Sequence, residues 1–147
     1  MILLDTNVLS ELTRPAPEPA VEQWLTLQPA ASVFISAVTE AELRYGVALM
    51  PASKRRTALA AEIEGMLRED FGDRILPFDS AAAVAFAEIA TKRRLAGRPI
   101  SQADAQIAAI AHSRGAALAT RNVTDFEGCG VVVINPWDAG PVGAPSP

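Results

Sequence analysis

Short apolar runs that stop abruptly at helix-starting residues constrain this chain more than any other feature. Met1-Ile2-Leu3-Leu4 runs into Asp5-Thr6-Asn7, and Ser32-Val33-Phe34-Ile35 runs into Ser36. A run of this length bounded by capping chemistry reads as a strand handing over to a helix. The pattern recurs at Arg74 to Phe78 ahead of Asp79 and Ser80, at Ala116 to Ala119, and at Val131 to Ile134. Between these runs the apolar residues return at helical spacing. Helices are expected over Val8 to Leu12, around Val21, Trp24, Leu25 and Leu27, and from Val38 to about Leu49. Further helices are expected from Ser53 to about Glu69, from Asp79 to about Leu95, and from Ser101 to the stop at Gly115. Alternation of this kind predicts the α/β class, as a three-layer α/β/α sandwich with a mainly parallel central sheet.

The 147 residues suffice for one domain with a real core, and no repeat or linker divides them. The domain is expected to span residues 1–137, with the Gly, Pro, Ala and Ser tail over 138–147 disordered. A net charge of −4 argues against a protein that coats nucleic acid through a general basic surface. It leaves room for local basic contacts. Cys129 is the only cysteine, which excludes an internal disulfide and fits a reducing compartment. No apolar run approaches the ~18 residues of a membrane span, and the start lacks the flanks of a signal peptide. The expected location is cytoplasmic, with no membrane partner.

Polar residues gather where strands or loops meet helices: Asp5, Glu42, Asp104 and the pair Asn122 and Asp125. Each has a purely structural explanation. Asp5 and Asn122 are natural N-caps, Thr39-Glu40-Ala41-Glu42 has the form of a capping box, and Ser101-Gln102-Ala103-Asp104 resembles one. Topology adds a second explanation. In a doubly wound parallel sheet, ligand sites form outside the carboxyl ends of the strands, where Asp5, Asn122 and Asp125 fall. Helices entered at Ser36 and Ser101 bring Glu42 and Asp104 toward the same edge. Carboxylates sharing a pocket repel unless a cation sits among them, and oxygen ligands suit Mg²⁺ or Mn²⁺. A lone histidine, His112, and a lone cysteine make a zinc site or a cysteine nucleophile implausible. No phosphate-binding Gly-rich loop is present.

These residues lie in stretches that resemble the PIN-domain ribonucleases, most closely the VapC toxins of the FitB-like branch. The stretches are Ile2 to Val8, Ser36 to Gly46, Ile75 to Asp79, Gly97 to Ile100 with Asp104, Thr120 to Phe126, and Ile134 to Trp137. They occur in the family's order and leave only the tail uncovered. The resemblance implies a PIN-like nuclease domain that hydrolyses RNA phosphodiesters with Mg²⁺-activated water. It implies Asp5 and Asp104 as metal ligands, with Glu42 binding a second ion or orienting the water. At the fourth place, where family members often carry an acid, this chain has Asn122, and Asp125 follows three residues later. Thr6 and Ser36 are candidates to orient the carboxylates. Arg14, Arg44, Arg98 and Arg121, together with Lys92, Arg93 and Arg94, are candidates to contact RNA phosphates.

The same resemblance implies a homodimer held inactive by a VapB-like antitoxin. That partner lays a segment over the first helices, with Val8, Leu9, Leu12, Trp24 and Leu25 as candidate groove residues, and reaches toward the acids. Two rival readings share the acidic pocket. One is a Mg²⁺-dependent phosphohydrolase of small phosphate esters, and the other is a non-catalytic module that binds RNA or protein.

Overall fold

The computed structural model describes residues 1–138; residues 139–147, nearly all of the expected tail, lie outside the described residues. Five short strands form one sheet: β1 (Ile2–Leu4), β2 (Val33–Ser36), β3 (Ile75–Leu76), β4 (Ala117–Ala119) and β5 (Val133–Ile134). All neighbours are parallel, in the order β3-β2-β1-β4-β5. The helices are α1 (Thr6–Leu12), α2 (Pro19–Thr26), α3 (Ala37–Ala48), α4 (Lys54–Gly65), α5 (Ser80–Leu95) and α6 (Gln102–Arg114). The chain builds outward from β1 through β2 to β3, then returns to the other side of β1 for β4 and β5. The strand order therefore reverses between β1 and β4, where a crevice opens at the carboxyl ends.

Strand alternation divides the core in two. Leu3 and Leu118 point toward α5 and α6, joining Ala82, Ala85, Ile89, Ile107 and Ile110. Leu4 and Ala119, the next residues along, point the other way and join Val8, Leu9, Val21, Trp24, Leu43 and Ile63 from α1 to α4. Leu3, Leu4 and Leu118 are fully buried, each contributing roughly 1.5–3 kcal/mol relative to exposure. This is the expected three-layer arrangement, with a sheet parallel throughout its described length. No helix among the described residues is long and apolar enough to cross a membrane.

Several boundaries differ from the sequence expectation. Helix α1 starts at Thr6 because the Asp5 carboxylate accepts from the Thr6 N–H at 2.8 Å. Helix α3 is capped by Ser36, whose hydroxyl accepts from the Thr39 N–H, so Thr39-Glu40-Ala41-Glu42 is helix interior and no capping box. Helix α4 stops at Gly65 but continues as a π-helical turn over Met66–Phe71, ending at Gly72 with φ +49°. The Arg74 guanidinium collects carbonyls of that end and of the approach to β2, donating to Asp70, Ala30 and Val33. Strand β3 covers only two residues of the expected Arg74 to Phe78, since Pro77 has no N–H to give a ladder. Strand β5 is likewise confined to Val133–Ile134. Asp138, expected to open the tail, instead closes a 3-10 turn over Pro136–Asp138, with its N–H on the Asn135 carbonyl at 3.1 Å.

Candidate active site

At the crevice, β1 and β4 are tied together before any side chain contributes. The Asp5 N–H donates to the Ala119 carbonyl at 2.8 Å. The Asp5 carboxylate, 5% exposed, is then held by three donors. Its Oδ1 accepts from the Thr6 N–H, while its Oδ2 accepts from Thr120 Oγ1 at 2.7 Å and from Asn7 Nδ2 at 3.3 Å. Asn7 Oδ1 in turn accepts from the Arg121 N–H, and Thr120 Oγ1 accepts from the Asn122 N–H. Asn7 and Thr120 thus lock the two strand ends around one carboxylate. Sequence reasoning assigned neither residue a role, although both fall directly after strands at the reversal of strand order.

Asp104 arrives from α6, three residues after the cap Ser101, whose hydroxyl accepts the Asp104 N–H at 3.2 Å. Glu42 arrives from α3, with Oε1 accepting from Thr6 Oγ1 at 2.7 Å. The same Thr6 hydroxyl lies 3.1 Å from the fully buried Thr39 Oγ1. The cleft, about 490 Å³ in volume, is lined by these three acids with Thr6, Asn7, Ser10, Glu11, Arg14, Arg121, Asn122 and Trp137. Asn122 caps no N–H with its side chain and is exposed on the cleft wall. Asp125 is not among the lining residues, and acts on Asp104 through its charge.

Burial pushes the Asp5 carboxyl above the ordinary carboxylate value, with smaller upward pushes from Asp104 and Glu42; Thr120 and the Thr6 N–H pull it back. Asp104 is also raised, first by burial and then by the charges of Asp125 and Glu42, against Ser101 and Arg93. A carboxyl raised on folding stabilises the fold fully below its unfolded value of 3.8, and that contribution is lost as pH rises through the raised folded value. Asp104→Asn, which is neutral at every pH, is therefore expected to melt a few degrees above wild type at pH 7 in EDTA. The gap should close as pH falls toward 3.8. Thermal melts across that range check the sign, and a gap that stays constant refutes it.

Among the described residues, no three Asp, Glu, His or Cys side chains converge into a cage that encloses a metal on its own. The donor set at the cleft is nevertheless all oxygen, two of its acids are destabilised by burial and mutual repulsion, and it is open to solvent. That suits a hard cation such as Mg²⁺, which keeps several waters and takes one or two carboxylates plus substrate phosphate oxygens.

The structure sorts the remaining candidates. Arg14 and Arg121 line the cleft. Arg44 and Arg98 do not. Arg44 is engaged by Glu40 at 3.0 Å and Glu64 at 2.6 Å on the outer face of α3 and α4, and Arg98 by Glu127 at 2.9 Å. Ser36 is fully buried and its hydroxyl caps α3 rather than touching a carboxylate. Arg93 is buried and no phosphate contact: it donates to the carbonyls of Arg98, Asp125 and Glu127 at 2.8, 2.7 and 3.0 Å. Trp137 packs on the core and also lines the cleft, with the Arg121 guanidinium 5.1 Å above its ring. Val8, Leu9 and Trp24 pack in the core and are not among the residues lining the groove beside α1. That groove lies between α1, α3 and α4, with Leu43, Val47, Met50, Leu59 and Ile63 along it. It shares Thr6, Ser10, Arg14 and Glu42 with the acidic cleft.

Residues 2–127 match the family described as PIN domain. The VapC ribonuclease Y4jK of Sinorhizobium fredii is 43% identical over 138 residues, covering 94% of this chain and 99% of the relative. Toxin FitB of Neisseria gonorrhoeae is 42% identical over 137 residues, covering 93% and 99%. The crystal structure of FitAcB from Neisseria gonorrhoeae superposes with a TM-score of 0.89 at 42% identity, covering 94% of this chain and 99% of the other.

Proposed function

The chain belongs to the PIN-domain family, on its FitB-like VapC side, and from that premise we propose that it is a Mg²⁺-dependent endoribonuclease, the toxin of a VapBC-type toxin–antitoxin pair. One observation carries the reading. A buried Asp5 and a half-buried Asp104, each raised by burial and by neighbouring acids, meet Glu42 in an open cleft at the reversal of strand order. Such repulsion persists cheaply where a cation is to be held against a phosphate. The relative named a VapC ribonuclease supports the RNA reading, since it covers nearly the whole chain.

Asp5 and Asp104 would hold Mg²⁺, or Mn²⁺ in its place. The bound ion supplies charge neutralisation of the scissile phosphate and a water acidic enough to attack at neutral pH. The chain's own residues supply orientation. Thr120, Asn7 and the Thr6 N–H fix the Asp5 carboxylate so that it cannot swing away. Thr6 holds Glu42 by Oε1, leaving Oε2 without a protein donor among the described residues. From Oε2, Glu42 orients the attacking water and accepts its proton. Asn122 completes the wall with an amide where an acid is common, and Asp125 adds negative charge behind Asp104.

The α1/α3/α4 groove supports a VapB-like antitoxin as partner: its floor carries Leu43, Val47, Met50, Leu59 and Ile63, charged residues such as Arg55 and Glu62 edge it, and it runs into the acidic cleft through four common residues. For a homodimer, the outer face of α5 offers Val84 and Leu95, 61% and 83% exposed.

The test is cleavage of an RNA panel by the purified chain with Mg²⁺, with Mn²⁺ and with EDTA, beside p-nitrophenyl phosphate as a small ester. Cutting of RNA that stops in EDTA, with the ester untouched, is the expected result. Cutting that persists in EDTA, or hydrolysis of the ester alone, overturns the reading.

A further inference from the structure

An acidic cleft that takes a polyanion needs positive charge on its own walls. Among the described residues lining it, only Arg14 and Arg121 supply any. Both are held in unusual ways. Arg14 sits just past the end of α1 and is 63% exposed, yet its ion-pair partner Glu11 is 5% exposed. The exposed pair by itself contributes little, and Glu11 lines the open cleft with little of its own surface exposed. Glu11 does two things at once. One oxygen accepts the Glu18 N–H at 3.0 Å, closing the segment that carries Pro15 and Pro17. Both oxygens lie 3.0 Å from Arg14 Nη1, leaving Nε and Nη2 without a protein acceptor among the described residues. Arg121 makes no ion pair within 4 Å among the described residues, although its charge also reaches the Glu11 carboxylate. Its guanidinium carbon instead lies over the Trp137 ring, 5.1 Å from the ring centroid, a contact that uses none of its N–H groups as a hydrogen bond to an acceptor.

We propose that Glu11 and Trp137 are positioning residues that hold Arg14 and Arg121 as a two-point clamp for the phosphates flanking the one that is cut. The proposal rests on the ribonuclease reading of the cleft and names how that cleft grips its substrate. Preorganised guanidinium groups lose less freedom when a phosphate arrives, and two of them set the register of the strand over Asp5 and Asp104. Glu11 and Trp137 touch no phosphate themselves.

The charge of Glu11 gives a test that separates positioning from plain electrostatics. Glu11→Gln removes a negative charge beside a polyanion site, so electrostatics alone dictates tighter RNA binding. Positioning dictates weaker binding. Binding is read by fluorescence anisotropy of a fluorescein-labelled single-stranded oligoribonucleotide across a KCl series, in the full chain with Asp104→Asn to stop cutting. Arg14→Gln and Arg121→Gln should each reduce the slope of log affinity against log salt by about 0.7, the value of one single-strand phosphate contact. Glu11→Gln should weaken binding about as much as Arg14→Gln and add nothing to it in the double variant. Trp137→Leu should mimic Arg121→Gln, and Trp137→Phe should restore part of the loss. A merely structural Glu11 or Trp137 lowers Tm and leaves the slope unchanged, which refutes the clamp. Tighter binding by Glu11→Gln also refutes it. If Glu11→Gln fails to fold, Arg14→Gln at its exposed site still decides through the slope. Wild type that cuts RNA while the arginine variants keep the full slope sinks the clamp alone. A wild-type chain that neither binds nor cuts RNA removes the ribonuclease reading and the clamp with it.

Discussion

Asp104→Asn is expected to abolish Mg²⁺-dependent RNA cleavage while leaving the fold intact and, at pH 7 in EDTA, slightly more stable. Groups that only support a metal ligand typically cost 10–100-fold when removed, so loss of a direct ligand should exceed about 100-fold in kcat. Asp104 is the cleaner of the two positions to test. Among the described residues Ser101 is the one hydrogen-bonding neighbour of its side chain, and burial, Asp125 and Glu42 push its carboxyl up against a smaller pull from Arg93. Asn in its place is isosteric, relieves that repulsion and removes the charge. Asp5→Asn should lose activity as completely but with a structural penalty. The Asp5 carboxylate accepts from Thr120, Asn7 and the Thr6 N–H, and an amide there sets an NH₂ group against at least one of those donors. The paired outcome is thus lost cleavage in both variants, with Tm raised in Asp104→Asn and lowered in Asp5→Asn. Cleavage within tenfold of wild type in a folded Asp104→Asn protein removes this cleft from the chemistry.

The largest effect on stability is expected at Arg93, which is buried and bonded to backbone carbonyls. Its guanidinium is 7% exposed and is solvated by the carbonyls of Arg98, Asp125 and Glu127, with Cys129 Sγ 3.6 Å away. Arg93→Ala strands several of these acceptors and removes the packed stem. Hydrogen bonds to a charged group are worth about 1.5–3 kcal/mol each, so a loss of at least about 3 kcal/mol is expected. For a domain of this size that lowers Tm by roughly 6–12 °C. Arg93→Met keeps the aliphatic stem and loses only the donors, so it should recover the packing share of the loss and no more. Hydrogen exchange should locate the damage in residues 121–130, the segment Arg93 pins to α5. A Tm for Arg93→Ala within about 2 °C of wild type would show the loop to be held by something else.

The fold was legible where side chains alternate against a buried sheet. Leu3 and Leu4 face opposite core halves, and a four-residue apolar run ending at Asp5 can do little else in a layered α/β protein. The end of β3 can be read from Pro77, which has no N–H for a ladder, whereas the start of β5 cannot, because strand length there is set by which backbone groups find partners. Among the site residues, Asp5, Glu42 and Asp104 stood out through their position relative to strand ends. Ser36 stood out for the same reason and turned out to be a cap, since a hydroxyl before a helix serves a backbone N–H as readily as a carboxylate. Arg93 was hidden by its neighbours. Within Lys92-Arg93-Arg94 nothing in the sequence separates the one cation turned inward from the two left in solvent. Two of the three carbonyls that receive it come from a loop more than thirty residues away.

Thr6, Ser10, Arg14 and Glu42 belong at once to the apolar groove and to the acidic cleft. A wall shared in this way needs no relay. A segment seated in the groove would stand against the cleft's own wall, so occupancy of the groove would obstruct the cleft with no change in the shape of the protein. The activity left in a mixed population would then count the molecules whose groove is vacant.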